Sequence, residues 1–285
     1  MSAPVVPDTE PEQIAERVFV IPDQRIDLVP NVGFVVGDDA TLVVDTGMGV
    51  ANAARVLEKA RGLTGDRLLL LTLTHFHPEH GFGAQVFRDA ATIVYNESQR
   101  AELEQSFDEF VQLFSGFSPE VAEILADVER VDPHVAYRED ARIDLGGIVV
   151  ELEALGPAHT LGDQLVWLGN ERLLFAGDLV ENRFFPILFG PATDASRWIS
   201  VLERLESLEP TTVVPGHGAV GDARLVVEVR EYLEWVRSLV QEGAGSGLDA
   251  LKADLEPRVR ERYGDWDNPE WIGFAIECFQ GELDG

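Results

Sequence analysis

Cysteine is almost missing from this 285-residue chain, where Cys278 stands alone. One thiol closes no intrachain disulfide and builds no thiolate metal cluster, which excludes a disulfide-stapled scaffold and a cysteine-based zinc module. A small apolar side chain near the C-terminus is the reading left for it. Lysine is nearly as scarce, with only Lys59 and Lys252, and 22 basic residues face 51 acidic ones for a formal net charge of −29. Proteins that grip polyanions concentrate Lys and Arg, so nucleic acid is not an expected partner. No apolar run approaches the roughly 20 residues that cross a bilayer. Met1 to Glu16 carries Pro4, Pro7, Pro11 and acidic residues in place of the basic start and apolar stretch of a secretory signal. A cytoplasmic protein without a membrane partner is the expectation, and the oligomeric state is left open.

What is present suits a folded enzyme-sized domain. A content of 45% hydrophobic and 26% charged residues is ordinary for a globular protein, and the length allows one large core. Short apolar runs at Arg17–Ile21, Val32–Val36 and Thr41–Val44, punctuated by Pro30-Asn31 and Gly37-Asp38-Asp39, read as strands. Val50–Arg61 has helical spacing, and Arg67–Thr74 is a nearly unbroken apolar run suited to a buried strand. Further on, helix is expected over Gly81–Phe87 and 97–128, the latter with Phe107, Phe110, Phe114 and Phe117 at intervals of three or four. A second strand set follows over 141–175, then helices from Ser196 onward, with a hinge at Glu242–Gly247. Strands then helices, twice over, predict an α/β fold of two stacked layers, α/β/β/α. The expected division is a flexible lead-in over 1–16, a catalytic domain over 17–243 and a helical extension over 244–285 packed on the same domain.

Of six histidines, five stand where a strand run gives way to a loop. The segment Thr74-His75-Phe76-His77-Pro78-Glu79-His80-Gly81 holds three imidazoles and a carboxylate, the donor types that zinc or iron accept. In extended chain His75 and His77 point the same way, while Pro78 forces a turn that lets Glu79 and His80 address a second direction. His159 in Gly-Pro-Ala-His-Thr, Asp178 in Phe-Ala-Gly-Asp and His217 in Pro-Gly-His-Gly also follow strand runs. Adjacent or nearby glycines allow the backbone to come close to an ion. His134, in Asp-Pro-His, belongs to no such pattern and reads as a loop residue.

These elements, in this order, resemble the HxHxDH signature and later motifs of the metallo-β-lactamase superfamily, and Asp45-Thr46-Gly47 is similar to its early Asp-x-Gly turn. The resemblance spans about residues 17–220 and implies a four-layer αββα sandwich of two mixed sheets. It assigns His75, His77 and His159 to one metal and His80 and His217 to a second, with Asp178 bridging. Glu79 stands where the family has Asp, as a ligand of the second metal or a proton-handling base. Asp45 is implied as the residue that orients a ligand histidine. Two zinc ions are the implied cofactor, with iron or manganese as alternatives and the second site in question because of Glu79. The implied activity is hydrolysis by a metal-activated hydroxide of a small intracellular thioester, lactone or ester. An iron-dependent sulfur or oxygen redox enzyme, or a phosphodiesterase, is the alternative. Family members that degrade antibiotics generally carry Cys or Ser in place of the bridging Asp. Phe184, Phe185 and Phe189, following the Asp178 loop, are candidates for an apolar substrate pocket.

Overall fold

A computed structural model of the chain describes residues 3–284. One sheet runs, in spatial order, β1 (Glu12–Ala15), β2 (Val18–Ile21), β3 (Val32–Val36), β4 (Ala40–Val44), β5 (Leu68–Thr72), β6 (Thr92–Asn96) and β7 (Val135–Tyr137). Its first four strands are an antiparallel meander, and from β4 onward the pairing is parallel. The other sheet holds β8 (Asp140–Asp144), β9 (Val149–Ala154), β10 (Gln164–Leu168), β11 (Leu173–Gly177) and β12 (Thr212–Pro215), ordered β12-β11-β10-β9-β8. Parallel pairing needs crossovers, and these are helical: α1 (Gly49–Thr64) joins β4 to β5, and α5 (Ala195–Ser207) joins β11 to β12.

Period-two alternation sorts each buried strand between two cores. In β4, Leu42 and Val44 face the other sheet while Val43 faces helices; in β11, Leu173 and Phe175 face inward while Leu174 and Ala176 face helices. Three apolar clusters result, one between the sheets and one on each outer face. Three interfaces between four layers give the α/β/β/α sandwich.

The first helical layer combines α1 with α3 (Glu97–Ser115) and α4 (Pro119–Leu125). The helical pattern over 97–128 is therefore interrupted. Ser118 accepts from the N–H of Val121 and Pro119 occupies the first turn, which starts a new helix instead of continuing the old one. Likewise the helix expected over Gly81–Phe87 is a short α2 (Pro78–Gly81) and a 3₁₀ turn at Ala84–Phe87. The second helical layer holds α5, α6 (Arg224–Glu242), α7 (Leu248–Arg262) and α8 (Ile272–Asp284). Leu251, Leu255, Ile272, Ile276 and Phe279 of the C-terminal helices share one apolar cluster with Trp198 and Tyr232.

The flexible lead-in expected over 1–16 needs correction within its described part. Val6 is buried and its N–H donates to Asn52 Oδ1 at 2.9 Å, and Glu12–Ala15 pairs antiparallel with β2. Strand β1 offers only four residues without a clear apolar face, so pairing with an existing edge, not its own pattern, orders it.

Candidate metal centre

The ligand candidates reach one place because strands end there. After β5 the chain runs straight into His75, and Pro78 opens α2, which turns Glu79 and His80 away from the preceding extended stretch. Asp178 follows β11 directly, His217 follows the end of β12 at Pro215, and His159 follows β9 by a five-residue step. The turn after β11 is laced to the His217 loop: Gly216 N–H donates to the carbonyls of Gly177 and Val180, and Asn182 N–H to that of His217. Gly216 cannot be replaced without disruption, because a Cβ there would stand 1.8 Å from Asp178 Oδ1.

Two groups of donor atoms form, one from His75, His77, His159 and Asp178 and the other from Glu79, His80, Asp178 and His217. In each, the atoms lie within 4.8 Å of one another. Asp178 belongs to both. Its Oδ2 lies 3.7 Å from His75 Nε2 and 3.8 Å from His159 Nε2, and its Oδ1 lies 3.2 Å from His80 Nε2 and 3.8 Å from His217 Nε2. All but His217 are buried, and the His217 side chain is 12% exposed.

The far side of each ring decides what the near side can do. His80 Nδ1 donates to Asp45 Oδ2 at 2.8 Å, His159 Nδ1 to the carbonyl of Ile187 at 3.1 Å, and His217 Nδ1 to that of Val29 at 3.0 Å. With the proton on Nδ1, Nε2 of a neutral ring presents a lone pair inward. His77 is turned the other way, its Nδ1 lying 3.0 Å from His159 Nε2 and 3.2 Å from His75 Nε2. A single proton on His77 could bridge only one of these contacts. A cation between the three nitrogens satisfies all of them.

The electrostatics agree. Burial pushes His75 and His77 well below the ordinary imidazole value and takes His159 down to about 4, so these rings are neutral donors. Burial acts on His80 in the same direction, but the carboxylates of Asp178 and Asp45 outweigh it and raise His80 well above the usual value. Desolvation of Asp178 is overcome by the surrounding histidines, and its carboxyl is held well below the usual range. Glu79 is raised by burial. Glu79 Oε2 is buried without a hydrogen-bond partner, and His80 Nε2 and Asp178 Oδ1 have only their 3.2 Å contact with each other. Orphaned donor atoms on carboxylate and imidazole, facing one point, fit a divalent ion.

Asp45, singled out from the sequence, supports this arrangement from behind. Its Oδ1 accepts from Thr74 N–H at 2.7 Å, and its Oδ2 accepts from Thr74 Oγ1 at 2.9 Å as well as from His80. Asp45→Asn keeps the volume but can no longer hold the His80 proton as strongly. We expect metal affinity, measured by chelator competition, to fall about 10–100-fold; unchanged affinity would remove Asp45 from this role.

Three acids with no motif around them were not legible in the sequence. Glu181, three positions after Asp178, is buried with Oε2 unpartnered, and burial together with the charges of Asp178 and Glu79 raises its pKa well above the usual value. Glu102, in α3, is buried and accepts from the N–H groups of Leu161 and Gly162 at 3.0 Å each. Asp163 accepts from Thr160 N–H and Oγ1. The last two brace the loop that presents His159. Burial raises Glu102 from 4.5 to about 7 against the pull of its two backbone donors. The folded state therefore binds this proton more tightly, and its contribution is complete below about pH 4.5 and lost as pH rises to about 7. Urea titrations should show wild type losing up to about 3 kcal/mol more than Glu102→Gln across that window. Parallel pH profiles would refute the assignment.

The aromatic candidates separate. Phe184 is half-buried beside the site, its ring 6.1 Å from His217 with the Arg25 guanidinium 4.2 Å above it. Phe189 is 41% exposed. Phe185 is not a pocket residue: it is fully buried among Tyr232, Tyr263 and Trp266, because the chain alternates direction between neighbouring residues. His134 pairs with Ile93 at the sheet edge, far in function from the other histidines, its Nδ1 accepting from Ile93 N–H at 3.0 Å.

Known proteins place the chain. The family model described as the metallo-beta-lactamase superfamily matches residues 25–217. The chain is 25% identical over 195 residues to the Caenorhabditis elegans "Beta-lactamase-like protein 2 homolog", with 68% of this chain and 57% of that one aligned. It is 23% identical over 274 residues to a Pseudomonas "Linear primary-alkylsulfatase", with 79% and 51% aligned. It thus spans little more than half the length of these relatives. A solved metallo-beta-lactamase family protein from Thermus thermophilus shares the fold, with a TM-score of 0.67 at 19% identity and 95% and 94% of the two chains covered. The family-model match over residues 25–217 carries the conclusion: this chain belongs to the metallo-beta-lactamase superfamily, a superfamily of metallohydrolases, and carries a buried His/Asp cluster suited to metal.

Proposed function

We propose that the chain is a dinuclear zinc hydrolase acting on a small thioester, lactone or ester. His75, His77, His159 and Asp178 hold one ion, and Glu79, His80, Asp178 and His217 hold the other. The observation that carries this reading is the meeting of His75 Nε2 and His159 Nε2 with His77 Nδ1, at 3.2 and 3.0 Å, with no protonation pattern that satisfies both contacts. Ions bound there would acidify a water molecule and polarise a carbonyl oxygen. The remaining work falls to the chain itself. Asp178 balances positive charge at the centre, and the backbone carbonyls of Ile187 and Val29 keep His159 and His217 in one tautomer. Glu79, whose longer side chain still gathers with His80 and His217, completes the second set, which supports two ions over one.

The protein, purified without added metal and reconstituted with zinc, should bind two equivalents by mass spectrometry. It should turn over thioester, lactone or carboxylic ester substrates faster than β-lactams or phosphodiesters. Iron retention with oxygen uptake, or preference for a phosphodiester, would overturn the reading.

A further inference from the structure

Beside the cluster lies a groove of about 390 Å³ between α3 and the segment 189–191, lined by Glu109, Phe110, Gln112, Leu113, Phe189 and Pro191 among others. That volume is in the range of small-molecule sites, about 300–1,000 Å³. Both walls are attached to histidines of the first donor set. On the α3 side the Phe110 ring stacks on His77, centroids 5.2 Å apart and planes 24° from parallel. On the other side the segment leading into Phe189 carries the Ile187 carbonyl that accepts from His159 Nδ1, and just beyond it Thr193 Oγ1 donates to the His159 carbonyl. Each wall of the groove is thus tied to one histidine of that donor set, with the Phe110 ring standing between the groove and His77.

Its chemistry is one-sided. Leu113 and Phe189 are 37% and 41% exposed, so two large apolar side chains face solvent across the same opening. The lining includes no Lys, Arg or His, and its one charged side chain, Glu109, is acidic. An anionic substrate end would meet a carboxylate and no counter-charge, whereas an uncharged hydrocarbon chain covers Leu113, Phe110 and Phe189 at once.

We infer that this groove binds the straight hydrocarbon chain of a neutral ester, with the scissile carbonyl at the His77–His159 corner. The inference rests on the hydrolase reading above and narrows its substrate class.

The test uses the zinc-reconstituted full chain and a series of p-nitrophenyl esters from acetate to decanoate. Within wild type, kcat/KM should rise about two- to fourfold per added methylene, the upper figure corresponding to complete burial. In Leu113→Glu and Phe189→Glu the ratio of decanoate to acetate should collapse towards one. Phe117→Glu, which removes an equally exposed aromatic outside the lining, should keep the wild-type ratio. Calorimetric binding of octan-1-ol to metal-free protein supplies a readout independent of turnover: it should bind wild type and the Phe117 variant, not the two groove variants. Octyl sulfate should bind more weakly than the alcohol. A flat chain-length series, octanol binding untouched by either groove substitution, or tighter binding of the sulfate would overturn the inference. If no ester is turned over but octanol behaves as stated, the hydrolase reading fails while the groove keeps its ligand.

Discussion

Asp178→Ala is expected to empty the centre and lower kcat/KM on the best ester or thioester by about 10²–10⁴-fold. Asp178 is the one residue common to both donor sets, with His80 Nε2 3.2 Å from Oδ1 and His75 Nε2 3.7 Å from Oδ2. Losing the ions removes several kcal/mol of transition-state charge stabilisation, and at about 1.36 kcal/mol per tenfold factor in rate a loss of about 3–5 kcal/mol gives that range. Asp178→Asn separates charge from shape. The amide fills the same space beside Gly216 but offers one acceptor and no negative charge, so metal content should fall nearly as far as in the alanine variant. Metal analysis and steady-state kinetics on the same preparations check both. Wild-type turnover in either variant would show that the acid at this position does not hold the centre together.

Stripping metal from the wild-type protein should lower its melting temperature by about 8–16 °C. The reason lies in buried polar atoms left short of partners: Glu79 Oε2 has none, and His80 Nε2 and Asp178 Oδ1 meet only each other, at 3.2 Å. Each unsatisfied buried polar group costs about 1–3 kcal/mol, and a bound ion relieves them in the folded state alone. At a free ligand concentration a thousandfold above Kd the gain is about 4 kcal/mol, and a kilocalorie moves the melting temperature of a chain this large by about 2–4 °C. Calorimetry before and after chelation, then after zinc is restored, gives the number; magnesium serves as the control, since it prefers oxygen donors. Glu79→Ala should keep the first donor set, bind one equivalent and recover only part of the shift. A melting temperature indifferent to zinc would mean that the orphaned atoms are satisfied in some other way.

Much of this architecture was readable because the signals were local. The apolar runs at Val32–Val36, Thr41–Val44 and Arg67–Thr74 hold the strands Val32–Val36, Ala40–Val44 and Leu68–Thr72, and a helix follows the second, as the spacing over Val50–Arg61 predicts. The His75–His80 segment shows its division at Pro78, whose ring imposes the turn. The elements that patterning missed are β1 and β7, of four and three residues. Each is too short to announce itself, and each is ordered by the neighbouring strand it joins. Phe185 failed as a pocket residue for a related reason: one step along the chain from Phe184 reverses the side chain, and an apolar residue in a loop carries no mark of which way it faces.

The order and chemical type of the donor residues, and the fold class that delivers them, were properties of the chain read as text, because ligand identity and strand-to-loop transitions are decided over a few residues. Convergence was decided only by packing. His75 and His217 are distant in sequence, and their Nε2 atoms face the same carboxylate because β5 belongs to one sheet and β12 to the other, with a shared apolar interior holding the sheets together. The burial of Glu102, Asp163 and Glu181, and the groove beside His77, belong to the same category. A carboxylate's proton affinity depends on the water it has lost, and a groove's shape on two segments that meet through folding alone.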